Sequence, residues 1–324
     1  MIMSKNINES CFFIVFLKKM KEITFCLFFP FLLTSCQGAT KKEIYASEIL
    51  KLINKGKPVQ FYDKIILDDL DFSEAKEEHI LSISNIQKPV SSNIFFLNCV
   101  FMGKVSAVGM AEKVQKVVSF EKNVTFFNCD FRGEVNFENA LFNGGIDFSR
   151  SVFHDKTSFN EITAFGKRNQ FSEIVSESSF NMINALIHGN INFMNAKFQS
   201  NASFQSMTVN ILQFSNASFE KNVDFSNTVV YKNSFFNYVE CNGNMLFSFS
   251  KFYGEADFRN NSFEQKADFS GSFYYGKTRF NHSAFKGDAD FSNAVFIQAP
   301  QMENTTLKET IEVQVVESKK IIFK

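Results

Sequence analysis

The spacing of the phenylalanines constrains this chain more than any other feature. From Phe214 the large apolar residues fall at Phe219, Phe225, Val230, Phe236, Cys241, Phe247, Phe252, Phe258, Phe263, Phe269, Tyr274, Phe280, Phe285, Phe291 and Phe296, with steps alternating five and six. The same alternation runs from Phe126 to Phe159 and from Met182 to Phe204. These steps do not fit the 3.6-residue period of an amphipathic helix. A short motif held in register over so many copies predicts a repeat architecture, in which each unit buries its apolar face only by stacking on the next. In many units a small residue stands two places before the large one, as at Ala140, Ala185, Ala217, Ala256 and Ala294. Slips near residues 160–165 and 209–214 are expected to be one-residue insertions or deletions at corners.

Composition supports one repeated solution to core filling: among 324 residues there are 44 Phe, 4 Pro and no Trp. Lys plus Arg and Asp plus Glu number 34 each, so no global field draws a polyanion to the chain, which disfavours nucleic acid as a partner.

A small residue at i−2 and a large one at i, repeated every five or so residues, resembles the pentapeptide-repeat family in a variant where Phe replaces Leu. The resemblance covers roughly residues 60–300. It implies an all-β fold, a right-handed parallel β-solenoid with four sides, whose small and large residues both point inward. The eleven-residue double unit departs from the family's usual pattern and predicts about 22 residues per coil in place of 20. Adjacent coils about 4.8 Å apart would set Phe on Phe, each buried ring contributing about 1.5–3 kcal/mol before chain entropy is subtracted. The second residue after the Phe is often Asn or Gly, as at Asn139, Asn227, Gly133, Gly144 and Gly254, which predicts positive φ at the corners.

The flanks read differently. MKEITFCLFFPFLLTSCQ, from Met20, resembles a bacterial lipoprotein signal, with Leu33-Thr34-Ser35-Cys36 as its lipobox. That resemblance implies removal of residues 1–35, lipid on Cys36 and a membrane-anchored, exported protein. The absence of Asp at Gln37 argues for the outer membrane, and Met20 is a candidate true start. Residues 36–43 are expected to be a lipidated tether and 44–59 a helical cap. In the cap Ala46, Ile49, Leu50 and Ile53 form one stripe, Ser47 can cap, and Gly56 and Pro58 stop the helix. Residues 102–119 break the repeat and are expected to form a loop expelled from a corner. If eight residues are inserted there, Cys99 and Cys129 fall one coil apart in one column, about 5 Å between Cα atoms and within reach of a disulfide in an exported protein. Cys241 occupies a Phe position. Residues 301–324 are expected to cap the far end, with Ile311, Val313, Val315 and Ile321 in a strand rhythm.

No catalytic residue, cofactor or metal site is expected. His79, His154, His188 and His282 are scattered, none at ligand spacing with a Cys or another His, and no nucleophile elbow or phosphate loop is present. Asp147, Asp224, Asp257, Asp268 and Asp290 precede the repeat Phe and could stack as calcium ligands, but Leu246 and Arg279 interrupt the series and a solvated face explains it better. The candidate contact site is Tyr231, Tyr253 and Tyr275, spaced by 22, each following a large interior residue. A 22-residue coil would make them an outward ladder, with Asn242 and Glu264 on the opposite side and Phe235, Phe249 and Phe273 also outside the interior register. Such a ladder suits an envelope protein or a sugar ring, or stacks for stability alone. The expected function is a lipid-anchored, non-catalytic rod acting as a scaffold or interaction surface, with glycan binding as the alternative. Gyrase protection by DNA mimicry, known in the family, fits poorly with a neutral, exported chain.

Overall fold

The computed structural model describes residues 41–82, 85–111, 114–316 and 321–323. The lipobox, Cys36 and everything before them lie outside the described residues. From Lys41 to Lys324 the chain forms one unit, a parallel β-solenoid with almost no helix.

Each coil crosses four faces, A to D in chain order. Face B is a sheet of 12 strands, from Lys42–Ile44 to Thr306–Leu307, and face C one of 10, from Leu70–Asp71 to Ala289–Asp290. Faces A and D belong to one 22-stranded sheet, because Leu186–Asn192 and Thr208–Gln213 run around the corner between them without a break. The predicted repeat holds: Val124 pairs with Ile146 on face A and Ala256 with Thr278, each 22 positions on. Two exceptions occur. Phe142 pairs with Ala164 at 22 but Ile146 with Asn169 at 23, so the extra residue lies in the corner 165–168, just beyond the expected stretch. Ile187 pairs with Val209 at 22 but Asn190 with Ile211 at 21, so Asn210 alone turns a corner that takes His188 and Gly189 one coil earlier.

The alternation of five and six comes from two kinds of corner. After Phe148 only Ser149 and Arg150 intervene before buried Ser151, whereas after Phe153 three residues precede buried Thr157. The short corners, AB and CD, need a left-handed residue, usually Asn: Asn139, Asn216, Asn227, Asn260 and Asn293 have φ of 56–59°. The glycines of the long corners were expected to share this role and do not: in them φ is positive at none of Gly133, Gly144 and Gly254. Their reason is space, since a Cβ at Gly133 would lie 2.7 Å from the carbonyl carbon of Gly103 one coil away.

Inside, the rings form ladders. On face A, Phe126, Phe148, Phe171, Phe193 and Phe214 follow one another at 5.0, 5.5, 4.9 and 4.7 Å, all near-parallel. The opposed faces A and C meet edge to face, as Phe247 does with Phe258 at 79°, the preferred geometry for ring quadrupoles. The small-then-large rule is sometimes reversed. Ser176 occupies a ring position between Phe153 and Phe198 on face B, and Phe180, in the small position of the next face, fills the space, reaching Phe198 at 5.4 Å and Phe153 at 6.1 Å. Interior volume is conserved across the coil rather than position by position.

At the start, helix α1 (Ala46–Ile53) buries Ala46, Ile49 and Ile53 against the first coil. Its N-cap is Tyr45 and not Ser47, because the backbone donors already have carboxylates: Ala46 N–H donates to Asp68 Oδ1 at 2.7 Å and Tyr45 N–H to Glu48 Oε1 at 3.4 Å. Before the helix, Lys42–Ile44 pairs with Lys64–Ile66, so β-structure begins within the segment read as tether and cap.

The segment 102–119 is not a loop. Val105–Ser106 is a strand of face C, and Val108–Ala111 with Val114–Phe120 forms an antiparallel hairpin. Its second arm lies parallel to Asn85–Val90, itself half of a hairpin with His79–Ser82 that the sequence does not announce. The inserted length is the eight residues anticipated, since Ile94 pairs with Val124 30 positions on. Lys88, buried beneath the first hairpin, donates to the Ala75 carbonyl at 2.7 Å and pairs with Glu78. At the far end Ile311–Val315 lies parallel to Val295–Phe296, turns Ile311, Val313 and Val315 inward, and pairs with Ile321–Phe323.

Phe180→Ala should cost about 3–5 kcal/mol in denaturant unfolding. Adding Ser176→Phe to that variant should recover part of the loss, and strictly additive losses would show that the two positions do not share one space.

Candidate functional site

The long DA corner positions one residue per coil directly after the inward residue of face D. In chain order from the register slip these are Phe165, His188, Asn210, Tyr231, Tyr253 and Tyr275, since Ala164, Ile187, Val209, Val230, Phe252 and Tyr274 pair successively. Tyr231 and Tyr253 stack at 5.7 Å and 18°, and Tyr253 and Tyr275 lie at 6.4 Å and 38°. All three are about half exposed, at 56, 43 and 57 %. The rings are wider apart than the coil spacing because side chains splay at a convex corner. Phe165 stacks on His188 at 4.7 Å and 9°, and Asn210 donates to the His188 carbonyl at 2.6 Å. The column is therefore an aromatic ridge crossing six successive coils, about 24 Å long at ordinary strand spacing.

The sequence disclosed only its second half. Phe165 and His188 are 23 apart and His188 and Tyr231 are separated by 22 and then 21, so a search at constant spacing misses them. Locating the inserted and deleted residues first would have found them. Asn242 and Glu264 do stand on the diagonally opposite BC corner, where Asn242 donates to Glu220 at 3.1 Å and Glu264 pairs with Lys286 at 2.6 Å. Phe273 lies beside the ridge on face D, 6.3 Å from Tyr275. Phe235 is on face A, and Phe249 sits at a CD corner with φ 58°, where its ring covers Gly271.

The aspartates have a structural use. Asp147 and Asp257 are on face A, Asp224, Asp268 and Asp290 on face C, and each accepts the backbone N–H two residues on, as Asp224 does from Ser226 at 2.7 Å and Asp268 from Ser270 at 2.9 Å. They are Asx turns that open the short corners. Where Asp268 and Asp290 adjoin, Lys266 reaches both, at 2.9 and 3.5 Å. Among the described residues no group of three or more His, Cys, Asp or Glu could hold a metal ion. His154 lies between Asp130 (3.0 Å) and Glu177 (2.7 Å), and His79 near Glu77 (3.6 Å).

Cys99 and Cys129 occupy the small inward position of face B on successive coils, both buried and both thiols. Each sulfur also lies near a carbonyl of the preceding coil, Cys99 Sγ at 3.7 Å from Phe61 O and Cys129 Sγ at 3.7 Å from Phe96 O. A hydrogen bond shared with Cys129 lowers the Cys99 thiol, and burial pushes Cys129 up. Cys241 is isolated in its ring position, its thiol pushed up to about 12 by burial. Treatment with diamide, which takes up the two thiol hydrogens, is expected to join Cys99 to Cys129 and leave Cys241 free. The bridge would stabilise the first coils by about 3–4 kcal/mol. Peptide mapping that finds all three thiols still alkylatable after oxidation and unfolding would reject the pairing.

The family model described as pentapeptide repeats (9 copies) matches residues 118–163 and 262–306. No curated protein and no solved structure matches the chain. The matched stretches lie on either side of the two register slips, and the same inward pairs continue through the coils between them. One repeat thus generates the whole solenoid, and the chain carries the pentapeptide repeats that this family model describes.

Proposed function

We propose that this protein is a non-catalytic scaffold, a rod held at the cell envelope by lipid on Cys36, which meets its partner through the aromatic DA ridge. The observation that carries this reading is where the chain spends its unusual residues. The interior is filled by stacked rings, and an open cleft of ≈ 420 Å³ lies at the capped end, lined by Phe291, Ser292 and residues 310–314. Of the exposed aromatics, Phe165, Tyr231, Tyr253 and Tyr275 share one column, whereas Tyr45, Tyr62, Tyr238 and Phe249 stand singly elsewhere. Contiguous exposed rings of this kind mark contact surfaces.

Glycan binding fits less well. A sugar ring packs on the face of an aromatic ring, and in this column the faces of Tyr231 and Tyr253 are turned toward each other along the rod. Edges and hydroxyls point outward, a geometry suited to a partner that hydrogen-bonds and packs against an edge.

For the anchor, Cys36→Ser is expected to leave unprocessed precursor without palmitate label, and undiminished labelling would refute lipidation there. For the ridge, a photo-crosslinking residue at Phe165 or Tyr253 in the lipidated protein is expected to give a discrete adduct in envelopes. With the probe at Phe165, the triple change of Tyr231, Tyr253 and Tyr275 to Ser should remove that adduct while the rod stays folded. An equal adduct from Asn242, on the opposite corner, would overturn the ridge as the contact surface.

A further inference from the structure

The outward residues of the four faces differ in kind. On face D, from coil to coil, they read Leu141, Thr163, Leu186, Thr208, Val229, Lys251, Phe273 and Val295, without a carboxylate. Face C carries Asp224, Asp268 and Asp290 in the same role, and face B, across the rod from D, has Asp130, Lys197 and Glu240. Beside face D runs the aromatic ridge, and flanking it are Lys167, Arg168, Lys232, Lys251 and Lys277, none with an ion-pair partner among the described residues. The acidic residue set in this stretch of corner, Glu255, is taken by Arg279 at 3.0 Å. The chain as a whole is neutral, with 34 residues of each sign. One side of the rod is therefore apolar, aromatic and basic at once.

We infer that face D and the DA ridge lie against an anionic phospholipid surface. The chemistry of the side fits that occupant in three ways. Tyrosine edges and hydroxyls belong at headgroup depth, where an apolar ring body and a polar tip are both satisfied. Lys and Arg extend their apolar stems and place the charge at phosphate level. The ridge and the outward residues of face D run side by side through successive coils, so one surface can meet both. A second copy of the chain is a poor occupant, because joining two such sides would bring ten unpaired cations together, five from each copy. This inference names the partner of the ridge proposed above and rests on that reading.

The test uses the lipid-free secreted form, residues 37–324, which holds the whole unit from Lys41 onward. Flotation with vesicles of phosphatidylcholine containing phosphatidylglycerol is expected to carry the protein, and neutral phosphatidylcholine vesicles or high salt to release it. Each Lys→Gln or Arg→Gln change among the five cations should weaken partition by about fivefold. Lys221→Gln and Lys286→Gln, away from the ridge, should change it far less. The chain has no Trp, so its emission is tyrosine emission. Brominated phosphatidylglycerol should quench it, and the triple Tyr→Ser variant should lose that quenching. Equal binding to neutral vesicles, no binding at all, or binding that the ridge variants do not weaken would overturn the inference. Protein adducts from the ridge without vesicle binding would overturn the lipid surface alone and leave the contact ridge standing, whereas absence of both would remove both.

Discussion

Ring stacking at the spacing of parallel strands is the interaction on which the rest of this molecule depends. A coil of 22 residues has no core of its own. It becomes stable when its inward rings lie about 5 Å from those of the next coil, as Phe225, Phe247 and Phe269 do at 5.0 and 5.1 Å. The backbone ladders and the ring ladders then have nearly the same pitch, so each satisfies the other. That match explains the amino-acid usage: a planar side chain without polar atoms fills the layer and brings no buried donor to be satisfied. Where the ring is absent, at Ser176 or Cys241, larger neighbours at Phe180 or Met245 occupy the layer, which is the tolerance expected of close packing judged by volume.

The corners convert this one-dimensional core into a surface. Short corners are held by an Asx turn and a left-handed residue, and long corners by close backbone approach at glycine. Because the two kinds alternate, the long corners fall on opposite edges of the rod, and one residue after each inward residue is carried to the outside. Apart from the one inserted and one deleted residue at DA, the DA and BC columns use the same kind of corner and differ in side chains: one became aromatic and the other became a ladder of hydrogen bonds and ion pairs, such as Asn242 on Glu220 and Lys286 on Glu264. The backbone does not favour either outcome. A difference that the fold does not require, concentrated on one edge, is the best reason to assign contact to the aromatic one.

The same asymmetry extends to the flat faces. Face C uses its outward aspartates to hold its own turns, whereas the outward residues of face D are mostly aliphatic or aromatic, with Thr163, Thr208 and Lys251 among them, and include no aspartate. A rod with four chemically distinct sides can lie on one surface and still present others, which suits a scaffold better than a catalyst. No helix among the described residues is long and apolar enough to cross a membrane.

The regular steps of five and six determined, without any structure, the solenoid, its coil length, the column of Tyr231, Tyr253 and Tyr275, and the shared column of Cys99 and Cys129 across an eight-residue insertion. Periodic information is local: each unit repeats the same short-range pattern of inward and outward positions, so counting suffices. What the count could not reach depended on contacts between distant segments. The hairpins at His79–Val90 and Val108–Phe120 pair with each other and follow no repeat. Phe180 makes sense only beside Ser176 once the coil is closed. Phe165 and His188 joined the ridge only when the inserted and deleted residues were assigned to corners, because a shift of one position carries a side chain from an outward column to an inward one. The tertiary structure decided these points, since stacking register is a relation between coils and no single coil contains it.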